Sequence, residues 1–195
     1  MKSLTDIRNG TRIFLDTSIL LYARWGISPA CRALLKRCQG KAVQGVITPF
    51  TLADFCTSRM AQEAQAAGFT QEPTPLLDFA EDLADASEPP LPPGGLRFRS
   101  TLDLSRTPQI IRNLTIYADD TRALLSGELE IASVHPEDFL EALFLQKTHG
   151  LLTSHSLNVA IARRLGLNEI AAADPAFDSV QGLIVYHPQD FQATQ

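Results

Sequence analysis

Cysteine is scarce in this 195-residue sequence, and the few cysteines are not spaced for a disulfide framework or a zinc site. They are Cys31, Cys38 and Cys56, an odd number with no C-x-x-C pair. Cys31 and Cys38 lie seven residues apart on one face of a predicted helix, so we expect them to be buried apolar thiols. A chain of this length can bury a hydrophobic core without such cross-links.

The sequence also lacks long apolar runs, a signal-peptide pattern and an excess of positive charge. No apolar run could span a bilayer, and the start, MKSLTDIRNG, does not have the basic-then-apolar order of a signal peptide. We therefore expect no membrane segment and a cytoplasmic location. The net charge of −5 argues against non-specific DNA binding. It does not exclude an enzyme acting on RNA, because a site made of carboxylates is itself acidic.

Several catalytic motifs are missing as well. The sequence has no G-x-S-x-G elbow, no phosphate-binding glycine loop and no dinucleotide fingerprint. A phosphotransferase of the haloacid dehalogenase type would need a second Asp two residues after Asp16, where this chain has Ser18. His135, His149 and His187 have no ligand-like spacing, and we expect them at the surface or at helix caps.

Short apolar segments alternate with helical segments, a pattern typical of α/β proteins whose parallel sheet is covered by helices on both faces. Strands are predicted over 12–15, 42–48, 128–133, 168–174 and 182–188. Helices are predicted over 17–24, 29–38, 50–67, 75–86, 108–125, 135–148 and 153–166. We expect Thr17 or Ser18 to cap the first helix and Ser154 to cap the helix over 153–166. The whole chain is predicted to be one domain, with 70–107 as an insertion.

Three acids follow the predicted strands. Asp16 comes directly after the first strand, Asp174 ends the segment NEIAAAD, and Asp54 lies six residues past Thr48. Sites in open α/β sheets form beyond the carboxyl ends of the strands. Carboxylates that meet there raise one another's pKa unless a cation neutralises them, and Mg²⁺ or Mn²⁺ is the usual cation.

Each acid taken alone has a simpler interpretation. Asp16 precedes Thr-Ser and suits a helix N-cap, while Asp174 precedes Pro175 and suits a turn or cap. Asp54 suits a surface acid, and Asp178 suits a solvated turn. The joint arrangement, rather than any single residue, therefore indicates a metal site.

Four stretches together resemble the PIN domain, the nuclease fold of VapC-type toxins in bacterial toxin–antitoxin pairs. They are IFLDTSILLYA, VITPFTLADF, LTSHSLNVAIARRLG and AAADPAFDSVQGLIVYHP. The resemblance covers about 11–60 and 115–190. It implies a three-layer sandwich with a central parallel sheet, and a metal-dependent endoribonuclease that hydrolyses RNA. It further implies an antitoxin protein and a second copy of the chain as partners.

The resemblance also implies roles for individual residues. Asp16 is the first acid, with Ser18 as a supporting hydroxyl. Asp54 is the second acid, where the family usually has Glu. Asp174 is the fourth acid and Asp178 an accessory acid, and the implied cofactor is Mg²⁺ or Mn²⁺.

The third acidic position holds His155 instead, and Ala172 stands where the family often has Thr or Ser. Imidazole is a poor ligand for Mg²⁺ but an acceptable one for Mn²⁺, Zn²⁺ or Fe²⁺. Three outcomes stay open: a softer metal bound through His155, weak Mg²⁺ activity through the three acids, or a degenerate module that binds RNA or a protein. His155 as a simple helix cap is a fourth interpretation.

Clustered arginines in and after the insertion are candidates for RNA phosphate contacts. They are Arg97, Arg99, Arg106 and Arg112. The acidic stretch 71–93 directly precedes them and is an alternative, intramolecular partner. Further candidates for phosphate contacts are Arg24, Arg163 and Arg164.

Overall fold

The computed structural model describes residues 2–69, 104 and 107–190. The predicted helix over 75–86 lies outside these residues, as does nearly all of the predicted insertion. In the part of the chain that is described, no helix is long and apolar enough to cross a membrane.

Six parallel strands form one sheet in the order β1-β6-β5-β2-β3-β4. The strands are β1 (Lys2–Ser3), β2 (Arg12–Leu15), β3 (Gln44–Ile47), β4 (Glu130–Ile131), β5 (Glu169–Ala171) and β6 (Ile184–His187). The central strand β2 pairs with β3 on one side and with β5 on the other, so that Leu15 lies opposite Ala171. The predicted α/β class with a parallel sheet is therefore confirmed.

Seven α-helices flank this sheet within the described residues. They are α1 (Thr17–Trp25), α2 (Pro29–Gln39), α3 (Pro49–Ala66), α4 (Pro108–Asn113), α5 (Ile116–Leu125), α6 (Pro136–His149) and α7 (Thr153–Arg164). Short 3-10 turns cover Leu4–Asp6 and Pro175–Ser179.

Two apolar cores cover the two faces of the sheet. Phe14 packs into a core with α6 and α7, whereas its neighbours Ile13 and Leu15 pack into a core with α1 and α2. Because successive strand residues point to opposite faces, the two cores lie on opposite sides of the sheet. This is the predicted three-layer sandwich.

The predicted helix over 108–125 is wrong in one respect, since the structure divides it into α4 and α5. The carboxylate of Glu63 in α3 accepts hydrogen bonds from the backbone N–H groups of Thr115, Ile116 and Tyr117, at 2.7, 3.0 and 2.9 Å. These donors are left unsatisfied at a helix start, so a capping carboxylate stabilises a new helix there. A contact 52 residues away in sequence is therefore what begins α5.

The caps predicted at Thr17 or Ser18 and at Ser154 are wrong, whereas the interpretation of Asp16 as a helix N-cap is confirmed. Asp16 caps α1 in place of Thr17 or Ser18, and α7 begins at Thr153 with Leu152 at the N-cap position. Ser154 therefore lies inside the first turn of α7. The strand predicted to end at Asp174 ends at Ala171, three residues earlier.

A buried ion-pair cluster ties α1, α3 and α5 together. The carboxylate of Asp120 in α5 binds Arg24 of α1 and is held by Arg59 of α3 through contacts of 2.6 and 2.8 Å. Burial alone would raise the pKa of Asp120, but the hydrogen bonds and the positive charges of both arginines together outweigh burial and lower the pKa. The cluster connects the two helices that follow β2 and β3.

Arg163 and Arg164, which were further candidates for phosphate contacts, also bind carboxylates. Arg164 forms two hydrogen bonds with the buried Asp138, at 2.7 and 3.0 Å. Arg163 pairs with Glu141 at 2.7 Å. Their side chains therefore connect α7 to α6.

Candidate functional site

Asp16 lies directly beyond β2, at the carboxyl edge of the sheet, and only 4% of the residue is exposed. Its Oδ2 accepts hydrogen bonds from the backbone N–H of Ser18 at 3.1 Å and from the Ser18 hydroxyl at 2.6 Å. These contacts cap α1 and hold the carboxylate in one orientation. Asp16 is thus a helix cap, and it is also one member of a larger acidic cluster.

Ser18 connects the ends of two neighbouring strands. Its Oγ donates to Asp16 and accepts from the backbone N–H of Ala173 at 3.0 Å. The backbone N–H of Asp16 itself donates to Ala171 at 2.9 Å. Asp16 and the segment that leads into Asp174 therefore lie side by side at one edge of the sheet.

A buried polar chain behind Asp16 was not predicted from the sequence. The amide of Asn158 in α7 donates to Asp16 Oδ1 at 3.4 Å, and Asn158 Oδ1 accepts from the Thr48 hydroxyl at 3.3 Å. Asn158 and Thr48 are both fully buried. The sequence does indicate that Asn158 faces this site, because it lies three residues after His155 and so on the same face of a helix.

Asp54 lies in α3, and its charge interacts with the same cluster. Partial desolvation raises the pKa of Asp54, although the residue as a whole is exposed. The negative charge of Asp16 raises the pKa further, while His155 lowers it. Residues from β2, α3 and α7 are therefore within electrostatic range of one another.

Tyr22 is a second residue that sequence reasoning missed. Burial raises the pKa of its phenol, as do the nearby charges of Cys31, Asp16 and Asp174. The phenol therefore lies within electrostatic range of Asp16 and Asp174, two of the predicted metal-binding acids. In the sequence it is one of several apolar residues in the first helix, and nothing there distinguishes it.

His155 faces Asp174 across a short gap. Its Nδ1 lies 3.7 Å from Asp174 Oδ2, while Asp174 Oδ1 accepts from the backbone N–H of Ala176 at 2.8 Å. The His155 side chain is 15% exposed and that of Asp174 is 39% exposed. Nδ1 is buried without a hydrogen-bond partner in the part of the chain described. Leaving such an atom unsatisfied costs about 1–3 kcal/mol, so the arrangement calls for an explanation.

The predicted accessory acid, Asp178, has a partner of its own. Its Oδ1 lies 3.0 Å from Nε2 of His187, the last residue of β6. His187 is buried, so its predicted surface position is wrong. The strand carries its side chain into the interior, where the carboxylate of Asp178 satisfies the ring nitrogen. A role for Asp178 in metal binding stays a prediction.

The arginines predicted to contact RNA are described only in part. Arg97, Arg99 and Arg106 lie outside the described residues. Arg112 is in the last turn of α4 and is exposed.

The donor types and charges at this edge of the sheet suit a divalent cation. Two ligands that share one ion at about 2.1 Å each lie roughly 3.0–3.5 Å apart, so His155 Nδ1 and Asp174 Oδ2 at 3.7 Å are near that separation. Over residues 2–69 and 107–190, no group of three or more His, Cys, Asp or Glu side chains is arranged to hold a metal. This edge therefore has one imidazole–carboxylate pair near the separation that two ligands of one ion would have, with the charges of Asp16 and Asp54 beside it.

Comparisons with known proteins bear on the fold. No protein-family model and no curated protein matches the chain. A solved chain of VapBC2 from Rickettsia felis, bound to a DNA fragment from their promoter, is similar with a TM-score of 0.51 and 13% identity. The match covers 90% of this chain and 98% of that one. A toxin-antitoxin complex from Klebsiella pneumoniae gives a TM-score of 0.49 and 14% identity, covering 91% and 98%. The likeness to VapBC2 confirms that the chain adopts the PIN-like α/β fold that its sequence resembles.

Proposed function

We propose that the protein is a metal-dependent endoribonuclease that hydrolyses RNA phosphodiesters at the carboxyl edge of its sheet. Asp16, Asp54 and Asp174 supply the acidic groups. The observation that carries the proposal is the link through Ser18, which joins the buried Asp16 to the segment before Asp174. Acids from distant parts of the sequence share one edge of the fold, as a cation site requires.

The protein's part in this reaction is to orient its acids before RNA arrives. Asp16 is held by Ser18 and Asn158, so little reorganisation is needed when charge develops. Asp54 is exposed and the Asp174 side chain is 39% exposed, so both can be reached from solvent. A bound Mg²⁺ or Mn²⁺ would lower the pKa of a water molecule and stabilise negative charge on the phosphate.

The test uses labelled single-stranded and structured RNAs with Mg²⁺, with Mn²⁺ or with EDTA. We expect cleavage that EDTA abolishes and that falls at least about 100-fold in D16N and D174N. Asn also caps helices well, so D16N removes the charge while keeping the start of α1. The exposed Asp119 provides a matched control, D119N, which should cut like the parent. Equal cleavage by the parent and D16N would assign the activity to a contaminant.

A degenerate module that binds RNA or a protein without cutting is the second candidate. The specific observation that favours it is His155 at the third acidic position, together with the lack of a preassembled group of three ligands within the described residues. RNA binding that is unchanged by EDTA and by D16N, with no cleavage under any condition, would favour this candidate.

We also propose that two copies of the chain associate through α6. This helix exposes Phe139, Leu140, Leu143 and Phe144, and the exposed Leu152 follows it. Contiguous exposed apolar patches of this kind mark protein interfaces. We expect a dimer in sedimentation experiments and a monomer for L140K. A parent that is monomeric at all concentrations would contradict the proposal.

An antitoxin protein is a further proposed partner. The likeness to VapBC2 and the resemblance to VapC-type toxins support it. Isolation of the protein from its native cells should then yield a stoichiometric complex with a second polypeptide. Recovery of this chain alone, under conditions that preserve weak complexes, would argue against such a partner.

A further inference from the structure

We propose that His155 makes the site prefer transition-metal cations such as Mn²⁺ over Mg²⁺, with Nδ1 of His155 and Oδ2 of Asp174 as two of the ligands. The inference rests on the proposed function only in assuming that a divalent ion binds at this edge of the sheet. It concerns which ion binds more tightly and which side chain determines that preference.

The orientation of the imidazole is the first support. The ring of His155 packs on Phe177 with a centroid distance of 4.8 Å and an angle of 41° between the planes. Phe177 is fully buried, so it cannot move aside without opening the core. The packing directs Nδ1 toward Asp174 and away from solvent, and the atom has no hydrogen-bond partner among the described residues.

The different contacts of the two carboxylate oxygens of Asp174 are the second support. One carboxylate oxygen, Oδ1, caps the following 3-10 turn through the N–H of Ala176. This bond fixes the carboxylate while Oδ2 faces His155. Nδ1 of His155 is oriented by the packing on Phe177, and Oδ2 of Asp174 is oriented by the hydrogen bond to Oδ1. The two atoms therefore face the same small gap.

The chemistry of the two donors then determines which ion fits. Mg²⁺ is bound by oxygen ligands and retains several waters, whereas Mn²⁺, Fe²⁺ and Zn²⁺ accept imidazole nitrogen. A neutral imidazole at this position also supplies one negative charge fewer than a carboxylate would. The missing charge weakens the binding of both kinds of ion, whereas the nitrogen donor weakens Mg²⁺ binding relative to binding of a transition-metal ion.

A His155–Asp174 ion pair that serves structure alone is the competing explanation of this contact. That alternative predicts a site in which any bound Mn²⁺ has only oxygen ligands, so the two possibilities differ in a measurable property.

The experiment uses the untagged full chain with Mn²⁺ as the probe. Pulsed electron paramagnetic resonance of bound Mn²⁺ detects the nitrogen of a directly coordinated imidazole, and Mg²⁺ competition gives the ratio of affinities. The variants are H155Q, H155D and the control H149Q, whose histidine lies in the last turn of α6. Far-ultraviolet circular dichroism checks that each variant is folded.

We expect a nitrogen coupling in the parent and in H149Q that is absent in H155Q and H155D. We also expect a preference for Mn²⁺ of at least about tenfold in the parent, which narrows in H155D as Mg²⁺ affinity rises. Bound Mn²⁺ without nitrogen coupling would overturn the inference and leave the proposed nuclease intact. No binding of either ion to the parent would overturn both. If a variant does not fold, a parent spectrum without nitrogen coupling still overturns the inference, and comparison with the variant that folds assigns any coupling to His155.

Discussion

Replacing Asp120 with Asn should destabilise the protein far more than the same change at the neighbouring Asp119. Asp120 is 2% exposed and holds Arg59, itself 12% exposed, together with Arg24. Removing one partner of a buried ion pair leaves an uncompensated charge and costs about 3–5 kcal/mol. Arg24 is half-exposed and can turn to water, so we expect the lower end, about 3 kcal/mol.

Asp119 is a matched control because it lies next to Asp120 in the same helix. It pairs with Arg122 in the next turn, and both side chains are largely exposed. Exposed pairs of this kind contribute about 0–1 kcal/mol. D119N should therefore unfold almost like the parent. For D120N, by contrast, the expected loss of about 3 kcal/mol corresponds to a fall in Tm of roughly 6–12 °C in a domain of this size.

Urea unfolding followed by circular dichroism measures both variants, and its pH dependence provides a second check. The folded pKa of Asp120 is lowered, so its stabilising effect is present above about pH 4 and is lost as the pH falls through the folded value. The difference in free energy of unfolding between the parent and D120N should therefore become smaller in acid. Equal losses in D120N and D119N at pH 7, or a difference that becomes larger in acid, would refute this reasoning.

Three further predictions concern local packing, capping and thiol chemistry. G45A should cost about 1–3 kcal/mol in urea unfolding, since a Cβ at Gly45 would lie 2.8–3.0 Å from side-chain atoms on three sides. E63Q should cost about 1 kcal/mol, because the amide nitrogen of Gln cannot accept in place of one of the two carboxylate oxygens that begin α5. A thiol reagent at pH 8 should modify only Cys56 in the folded protein, because burial raises the pKa of Cys31 to about 12 and that of Cys38 to about 11. Wild-type stability in G45A or E63Q, or more than one reactive thiol, would contradict the respective prediction.

The sheet was predictable because its strands are short, apolar and bounded by local signals. Ser28 caps α2 with Pro29 at its first position, and Gly150 at φ 67° ends α6. These signals act within a few residues, so they can be read from the sequence alone. The strand β1 has only two residues and carries no periodic signal.

The parts that were not predictable depend on contacts between distant residues. The division between α4 and α5 follows from Glu63, and the connection of α1 to α3 follows from Asp120. Nothing in the local sequence of Asp120 separates it from Asp119, although one is buried and the other exposed. Long-range charge pairing is therefore the information that a single sequence does not supply.

The site shows why two interpretations of one residue need not exclude each other. The sequence around Asp16 suits both a helix cap and a metal-binding acid, and the structure shows that Asp16 caps α1 through Oδ2. Its other oxygen, Oδ1, receives only a long 3.4 Å hydrogen bond from Asn158. Because capping uses one oxygen and fixes the position of the second, the cap preorganises the carboxylate rather than removing it from the cluster. Capping at a strand end is therefore compatible with catalysis there, and D16N can separate the two roles, because Asn preserves the cap and removes the charge.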